Sequence, residues 1–162
     1  MNIRPTEERD WMILKEIRLA ALLDTPTAFG VSYSTAITNS DEQWKQRASP
    51  ETLPKFWLAF KDDKAMGMIG AGMDHIGRYN LIAMWVEPES RELGIAESLV
   101  NTVKSDAISR GFKEVFLDVS PDNLKASRFY KKHGFVFIGG EEKPLASHPN
   151  IQVQMMKWKS IS

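Results

Sequence analysis

The sequence predicts a mixed α/β fold, with helices packed on a central sheet. Short apolar runs of strand length recur between polar turn signals, and two longer stretches instead repeat apolar residues at helical spacing. These two patterns alternate through the second half of the chain, which is how a layered α/β domain is written. With 162 residues, 43% of them hydrophobic, the chain fits one domain over 1–162 with a single packed core.

Ile3 and its neighbours read as a short first strand. Trp11, Leu14, Ile17, Arg18, Ala21 and Leu22 then follow helical spacing, and Asp24-Thr25-Pro26 ends that helix because a residue before proline is turned away from helical backbone. A second helix is expected from Ser40 or Asp41, with Trp44 on its buried side. Phe56–Phe60, the polar turn Lys61-Asp62-Asp63-Lys64 and Ala65–Met73 form a β-hairpin, and Leu81–Val86 adds a further strand. Ile95, Leu99, Val103 and Ala107 recur every four residues in a helix over 95–110, which Gly111 closes. Val115, Leu117 and Val119 alternate with Glu114, Phe116 and Asp118, so this strand faces two environments. A helix over 123–133 ends at Gly134, and Phe135–Ile138 and Ile151–Trp158 supply two last strands joined by the loop Glu141–Asn150. No repeat, linker or low-complexity tract interrupts the order.

Composition narrows the function. Lys plus Arg and Asp plus Glu are both 21, so the formal net charge is zero and no overall field draws the chain to nucleic acid or an anionic membrane. No apolar run is long enough to span a bilayer, and the N-terminus lacks a signal-like apolar segment, so a cytoplasmic location is expected. The chain has no cysteine, which excludes disulfides, thiolate metal sites and an acyl-cysteine intermediate. His75, His133 and His148 show no ligand spacing, and no metal is expected. Trp11, Trp44, Trp57 and Trp158 fall in amphipathic elements and are read as packing residues.

The most informative segment is Arg91-Glu92-Leu93-Gly94-Ile95-Ala96, between a strand and a helix start. A helix N-terminus presents backbone N–H groups without intrahelical acceptors, and its dipole adds partial positive charge, so this turn is suited to a phosphate. Gly94 lets backbone approach ligand oxygens, Ala96 is small enough to keep that approach open, and Arg91 can add a charge-assisted hydrogen bond. Further on stand Asn123-x-x-Ala126-x-x-Phe129-Tyr130 and Gly134-Phe135.

Together the two segments resemble the GCN5-related N-acetyltransferase (GNAT) superfamily. Its acetyl-CoA motif, Gln/Arg-x-x-Gly-x-Gly/Ala, is matched at Arg91, Gly94 and Ala96, and its Asn-x-x-Ala-x-x-Phe-Tyr motif is matched from Asn123 to Tyr130. The resemblance is specific over residues 65–138. It implies a mostly antiparallel central sheet of six to seven strands with about four helices, splayed between two central strands where acetyl-CoA enters, commonly beside a β-bulge. It also implies direct acetyl transfer to an amine in a ternary complex, with CoA as product. Residues Arg91, Glu92, Leu93, Gly94, Ile95 and Ala96 would hold the pyrophosphate, and the backbone of Trp85 and Val86 would pair with the pantetheine amides. Asn123 would hold the ligand through its side-chain amide, cap its helix, or do both. Many relatives carry glycine where this chain has Glu92, so weakened cofactor binding is expected.

By the same resemblance Tyr130 stands beside the departing sulfur as the general acid, a phenol protonated at neutral pH; the alternative is an aromatic that only packs against the sheet. The strand position where many relatives place a basic glutamate is Asn80, which takes up no proton. Leu117-Asp118-Val119 matches a carboxylate pattern of other relatives, twelve positions ahead of the tyrosine, and makes Asp118 the candidate base or else a solvated sheet-edge carboxylate. The acceptor is a small-molecule or peptide amine. Thr25-Pro26-Thr27-Ala28-Phe29-Gly30 resembles a stretch of small bacterial members and fixes no acceptor, while Glu51, Glu141 and Glu142 are carboxylates suited to a cationic amine. A homodimer paired through Ile151–Trp158 is a further expectation. The rival function is a catalytically silent acyl-CoA-binding sensor or interaction module.

Overall fold

The structure is a computed structural model describing residues 1–26, 31–140, 142–145 and 147–161. Thr27–Gly30 and Glu141, which the sequence marked near the acceptor, lie outside the described residues. The chain begins with β1 (Asn2–Pro5), a 3-10 turn at Glu8–Asp10, α1 (Trp11–Asp24), α2 (Tyr33–Ala36) and α3 (Asp41–Ala48). Strands β2 (Lys55–Lys61), β3 (Lys64–Met73) and β4 (Tyr79–Val86) follow, then a second 3-10 turn at Pro88–Ser90 and α4 (Ile95–Ser109). The chain closes with β5 (Glu114–Val119), α5 (Leu124–Lys132), β6 (Val136–Phe137), β7 (Lys143–Leu145) and β8 (His148–Lys159).

Local chemistry explains the helix ends. Ser40 and Gln43 form a reciprocal capping box that starts α3: the Gln43 N–H donates to Ser40 Oγ at 3.2 Å and the Ser40 N–H to Gln43 Oε1 at 2.8 Å. Helix α5 ends in a Schellman motif. Gly134 adopts φ +89°, its N–H donates to the Lys131 carbonyl at 3.1 Å, and the Phe135 N–H donates to the Tyr130 carbonyl at 3.0 Å. The expected strand over 135–138 is therefore shortened to Val136–Phe137, because the Phe135 backbone belongs to the helix cap and its side chain is wholly buried.

The sheet order is β1-β2-β3-β4-β5-β8-β6, with β7 paired on β8. Every neighbouring pair is antiparallel except β4 and β5, which run parallel and register only at Asn80↔Phe116. The expected mixed, mostly antiparallel sheet is what forms, with eight strands and five α-helices among the described residues. The elements beyond expectation are the four-residue α2 and the three-residue β7, each too short to show a hydrophobic period. β8 is flanked by β5 on one side and by β6 and β7 on the other, so the pairing partners of Ile151–Trp158 come from within the chain.

Apolar clusters cover both faces of the sheet. Alternation along β2 sends Trp57 and Ala59 to the α4 side, and Phe56, Leu58 and Phe60 to the α1 side. Leu99, Val100 and Val103 of α4 are fully buried, each worth about 1.5–3 kcal/mol relative to exposure. Trp44 and Trp57 are buried, while Trp11 and Trp158 are half-buried and pack against the two clusters.

Candidate active site

The site begins where β4 and β5 part. Between Met68↔Trp85 and Gly70↔Ile82 the register advances two residues on β3 but three on β4, so β4 carries a β-bulge. Ala83 absorbs it at φ +57°, a backbone conformation that costs an alanine free energy. The consequence is visible in the cleft that opens there, of about 1000 Å³. Asn80, Leu81, Ile82, Ala83 and Met84 all line it consecutively, as do Leu117, Asp118 and Val119 from β5 and Ser120 just after it. Alternating strands cannot present consecutive side chains to one side, so both strands contribute their edges to the cleft.

Tyr130, Asp118 and Asn123 come together in this cleft. The Tyr130 ring is fixed by the helix cap, standing edge-on to Phe135 with ring centroids 5.6 Å apart and at 5.3 Å from Phe129. Its hydroxyl points at Met84 Sδ, 3.9 Å away, and burial raises its pKa well above the ordinary phenol value of 10. It therefore holds its proton throughout the neutral range. Asp118 lies on β5 opposite Met155 and receives Lys143 Nζ at 2.8 Å, with 36% of its side chain exposed. Lys143 stands on β7, an element invisible in the sequence, so this ion pair was not foreseen. Asn123 Oδ1 accepts from the Ala126 N–H at 3.2 Å, which makes it the N-cap of α5. Its amide nitrogen is not engaged by that cap. Asn80 Nδ2 donates to Asp74 Oδ2 at 3.2 Å and to the Arg78 carbonyl at 3.1 Å, turned toward the β3–β4 turn.

The loop Arg91–Ala96 does not line the cleft but leads from β4 into α4. Glu92 adopts φ +70° and is exposed. Gly94 is the N-cap of α4 at φ +79° with no side-chain cap, leaving the first N–H groups of Ile95 and Ala96 facing outward from the helix start. Leu93 is exposed and Ile95 is buried in the core, anchoring the turn. Arg91 is held by protein groups: its Nε donates to the Val86 carbonyl at 2.9 Å and its Nη2 to Asp24 Oδ2 at 2.6 Å. The Trp85 indole N–H reaches the same Asp24 oxygen at 3.0 Å, and these two donors lower the Asp24 pKa. Trp85 thus packs toward α1, and its backbone registers with Met68 on β3. Asp24 was missed in the sequence, where it served only as a helix terminator. No group of three or more His, Asp or Glu suited to a metal occurs among the described residues, and none of their helices is long and apolar enough to cross a membrane.

A split between two parallel strands, a bulge at its mouth and a glycine-led helix start beside it define the acyl-CoA N-acyltransferase architecture. The sequence model of the acetyltransferase (GNAT) family matches residues 17–135, and the chain belongs to that family. Human N-acetyltransferase 8 is 38% identical over 89 residues, 52% of this chain and 39% of the human protein, and human N-acetyltransferase 8B matches equally. The chain thus spans less than half the length of these curated relatives. Among solved structures, an acetyltransferase of the GNAT family from Streptococcus pneumoniae superposes with a TM-score of 0.81 at 22% identity over 98% of both chains. PaiA N-acetyltransferase from Thermoplasma acidophilum in complex with coenzyme A gives 0.75 at 20% identity over 98% of both. Aminoglycoside 6'-acetyltransferase type Ii gives 0.73 at 24% identity over 100% of this chain and 99% of that one. These structural likenesses establish the fold.

Proposed function

We propose that residues 1–162 form one N-acetyltransferase domain that moves an acetyl group from acetyl-CoA to a primary amine of a small molecule or peptide. The observation that carries the reading is the buried, protonated Tyr130 facing Met84 inside the gap between β4 and β5. Support for the cofactor comes from the strand edge of β4 beyond Asn80, which has no neighbour in β5, and from the uncapped start of α4. An extended amide-bearing ligand suits the first feature and a pyrophosphate the second. The backbone of Trp85 and Val86 would hold the pantetheine arm, the N–H groups from Glu92 to Ala96 the phosphates, and Asn123 the arm's inner end. Arg91 would serve by fixing the loop to Val86 and Asp24.

Acetyl-CoA supplies a thioester carbonyl, and the rest of the chemistry belongs to the protein. An alkylammonium with a pKa of about 10 must lose a proton before it can attack. Asp118, directly or through a water, takes that proton and must part from Lys143 to do so. Tyr130 donates its proton as the sulfur leaves, and regains one from solvent before the next turnover. With no cysteine in the chain, direct attack by the amine is the economical route.

The test is a thermal-shift measurement with acetyl-CoA and with CoA, run beside thiol release against a panel of amines. Stabilisation together with amine-dependent thiol release is expected. Stabilisation without turnover on any amine would favour a silent acyl-CoA sensor, and no stabilisation at saturating acetyl-CoA would overturn the cofactor assignment.

A further inference from the structure

The place an acceptor's ammonium must take is already filled by a primary amine of this chain. A group that gives its proton to Asp118 has to lie within about 2.6–3.2 Å of a carboxylate oxygen. Lys143 Nζ stands 2.8 Å from Asp118 Oδ2. Lys143 is also the one lysine that lines the cleft among the described residues, and Met84, Asp118 and Tyr130 line the same cavity. The ion pair itself is a weak tether: the Lys143 side chain is more than half exposed, and pairs so open to water hold loosely, so the amine can part from the carboxylate at little cost.

The sheet explains the meeting. Asp118 registers with Met155 and Lys143 with Val153, so the two flank β8 from its opposite edges, two residues apart along it. Residues in register or two apart share a face, and Asp118 and Lys143 therefore project from the same side of the sheet. Leu117, Val119 and Met156 point into the cluster on the other side, which contains Tyr130. The amine thus reaches the gap from one face and the phenol from the other, an arrangement that keeps nucleophile and acid on opposite sides of a thioester held between them. Resting on the transferase reading above, we propose that Lys143 is a self-acetylation site, its ε-amine taking the acetyl group of acetyl-CoA bound to the same chain. The ammonium gives a proton to Asp118, which passes it to solvent, and the freed lone pair forms the N–C bond at the thioester carbon. The C–S bond breaks with its electron pair on sulfur, Tyr130 protonates the departing thiolate, and the proton left over on the new amide nitrogen goes to solvent, from which Tyr130 is recharged. The products are Nε-acetyl-Lys143 and CoA. Acetylation cancels the charge opposed to Asp118 and leaves the carboxylate to an external ammonium.

The experiment incubates the full chain with acetyl-CoA and no added amine, and follows the gain and position of acetyl groups by intact-mass and peptide mass spectrometry. Lys143→Arg, Tyr130→Phe and Asp118→Asn are run beside wild type, and acetyl-CoA-dependent thermal stabilisation is recorded for each. Wild type is expected to gain an acetyl group on Lys143 at a rate independent of protein concentration, because amine and cofactor belong to one molecule. Lys143→Arg should keep the stabilisation and gain no acetyl group in the same time. Tyr130→Phe and Asp118→Asn should slow the modification of Lys143 by about a hundredfold, within the range of general acid–base catalysis. An unmodified Lys143, acetyl groups spread evenly over the surface lysines, a rate that rises with protein concentration, or an undiminished rate in the Tyr130 and Asp118 variants overturns the proposal. Where wild type is nevertheless stabilised by acetyl-CoA and releases thiol with added amines, the transferase reading stands, whereas absence of that stabilisation sinks the transferase reading itself.

Discussion

Replacing Tyr130 by phenylalanine separates catalysis from architecture. The hydroxyl's neighbour is a thioether sulfur at 3.9 Å, the long limit for a sulfur acceptor, and burial already costs the group its hydration. Deleting it removes a weak contact together with a desolvated polar atom. The ring keeps its edge-on contacts with Phe129 and Phe135, and the Schellman cap, made by backbone, is untouched. Stability should change by less than about 1 kcal/mol, a shift in Tm of no more than about 2–4 °C for a chain of this size. Turnover should fall about 10²–10⁴-fold, the usual worth of a general acid, which corresponds to roughly 2.7–5.4 kcal/mol of activation free energy. Thiol-release kinetics give kcat and the KM for acetyl-CoA, and melting curves with and without acetyl-CoA give the two stabilities. A kcat within a few-fold of wild type would refute the acid role. A fall in kcat accompanied by lost cofactor stabilisation would refute the claim that the hydroxyl acts only in the chemical step.

Asp118→Asn should lower kcat/KM by about 10²-fold, as deletion of a general base does; an unchanged kcat/KM assigns the proton to water alone. Gly94→Ala meets no atom within 4 Å of its new methyl group, so its cost of about 1–2 kcal/mol comes from backbone alone, at φ +79°. Because that strain bears on the start of α4, the KM for acetyl-CoA should rise while kcat with saturating cofactor holds. Gly134→Ala adds a clash, its Cβ falling 3.0 Å from Trp158 Cδ1 at φ +89°, and should destabilise by about 2–4 kcal/mol, read from denaturant unfolding. Tyr79 and Tyr130 both have raised pKa values, through burial in each and also through the Asp106 hydrogen bond in Tyr79. The unfolded chain therefore loses these protons first, so the stability they confer is whole below pH 10 and declines as pH rises above it. Equilibrium unfolding from pH 8 to 11 should show that decline, and Tyr79→Phe should flatten it.

The turns and caps of the proposed cofactor half were legible because they are made of backbone, and backbone demands specific residue types. Gly94 at φ +79°, Gly134 at φ +89° and the cap at Asn123 are conformations that few residues adopt cheaply, so they leave a mark in the sequence. The bulge in β4 left none, because the residue that absorbs it is Ala83, which no propensity flags. Nor did β7, whose Lys143-Pro144-Leu145 is held only by its register with β8, although it delivers the lysine that meets the candidate base. Asp24 likewise looked like a helix terminator, and its bonds to Trp85 and Arg91 join residues 61 and 67 positions apart. Side chains joined across the fold in this way carry no such backbone signature, and no local pattern in the sequence points to them.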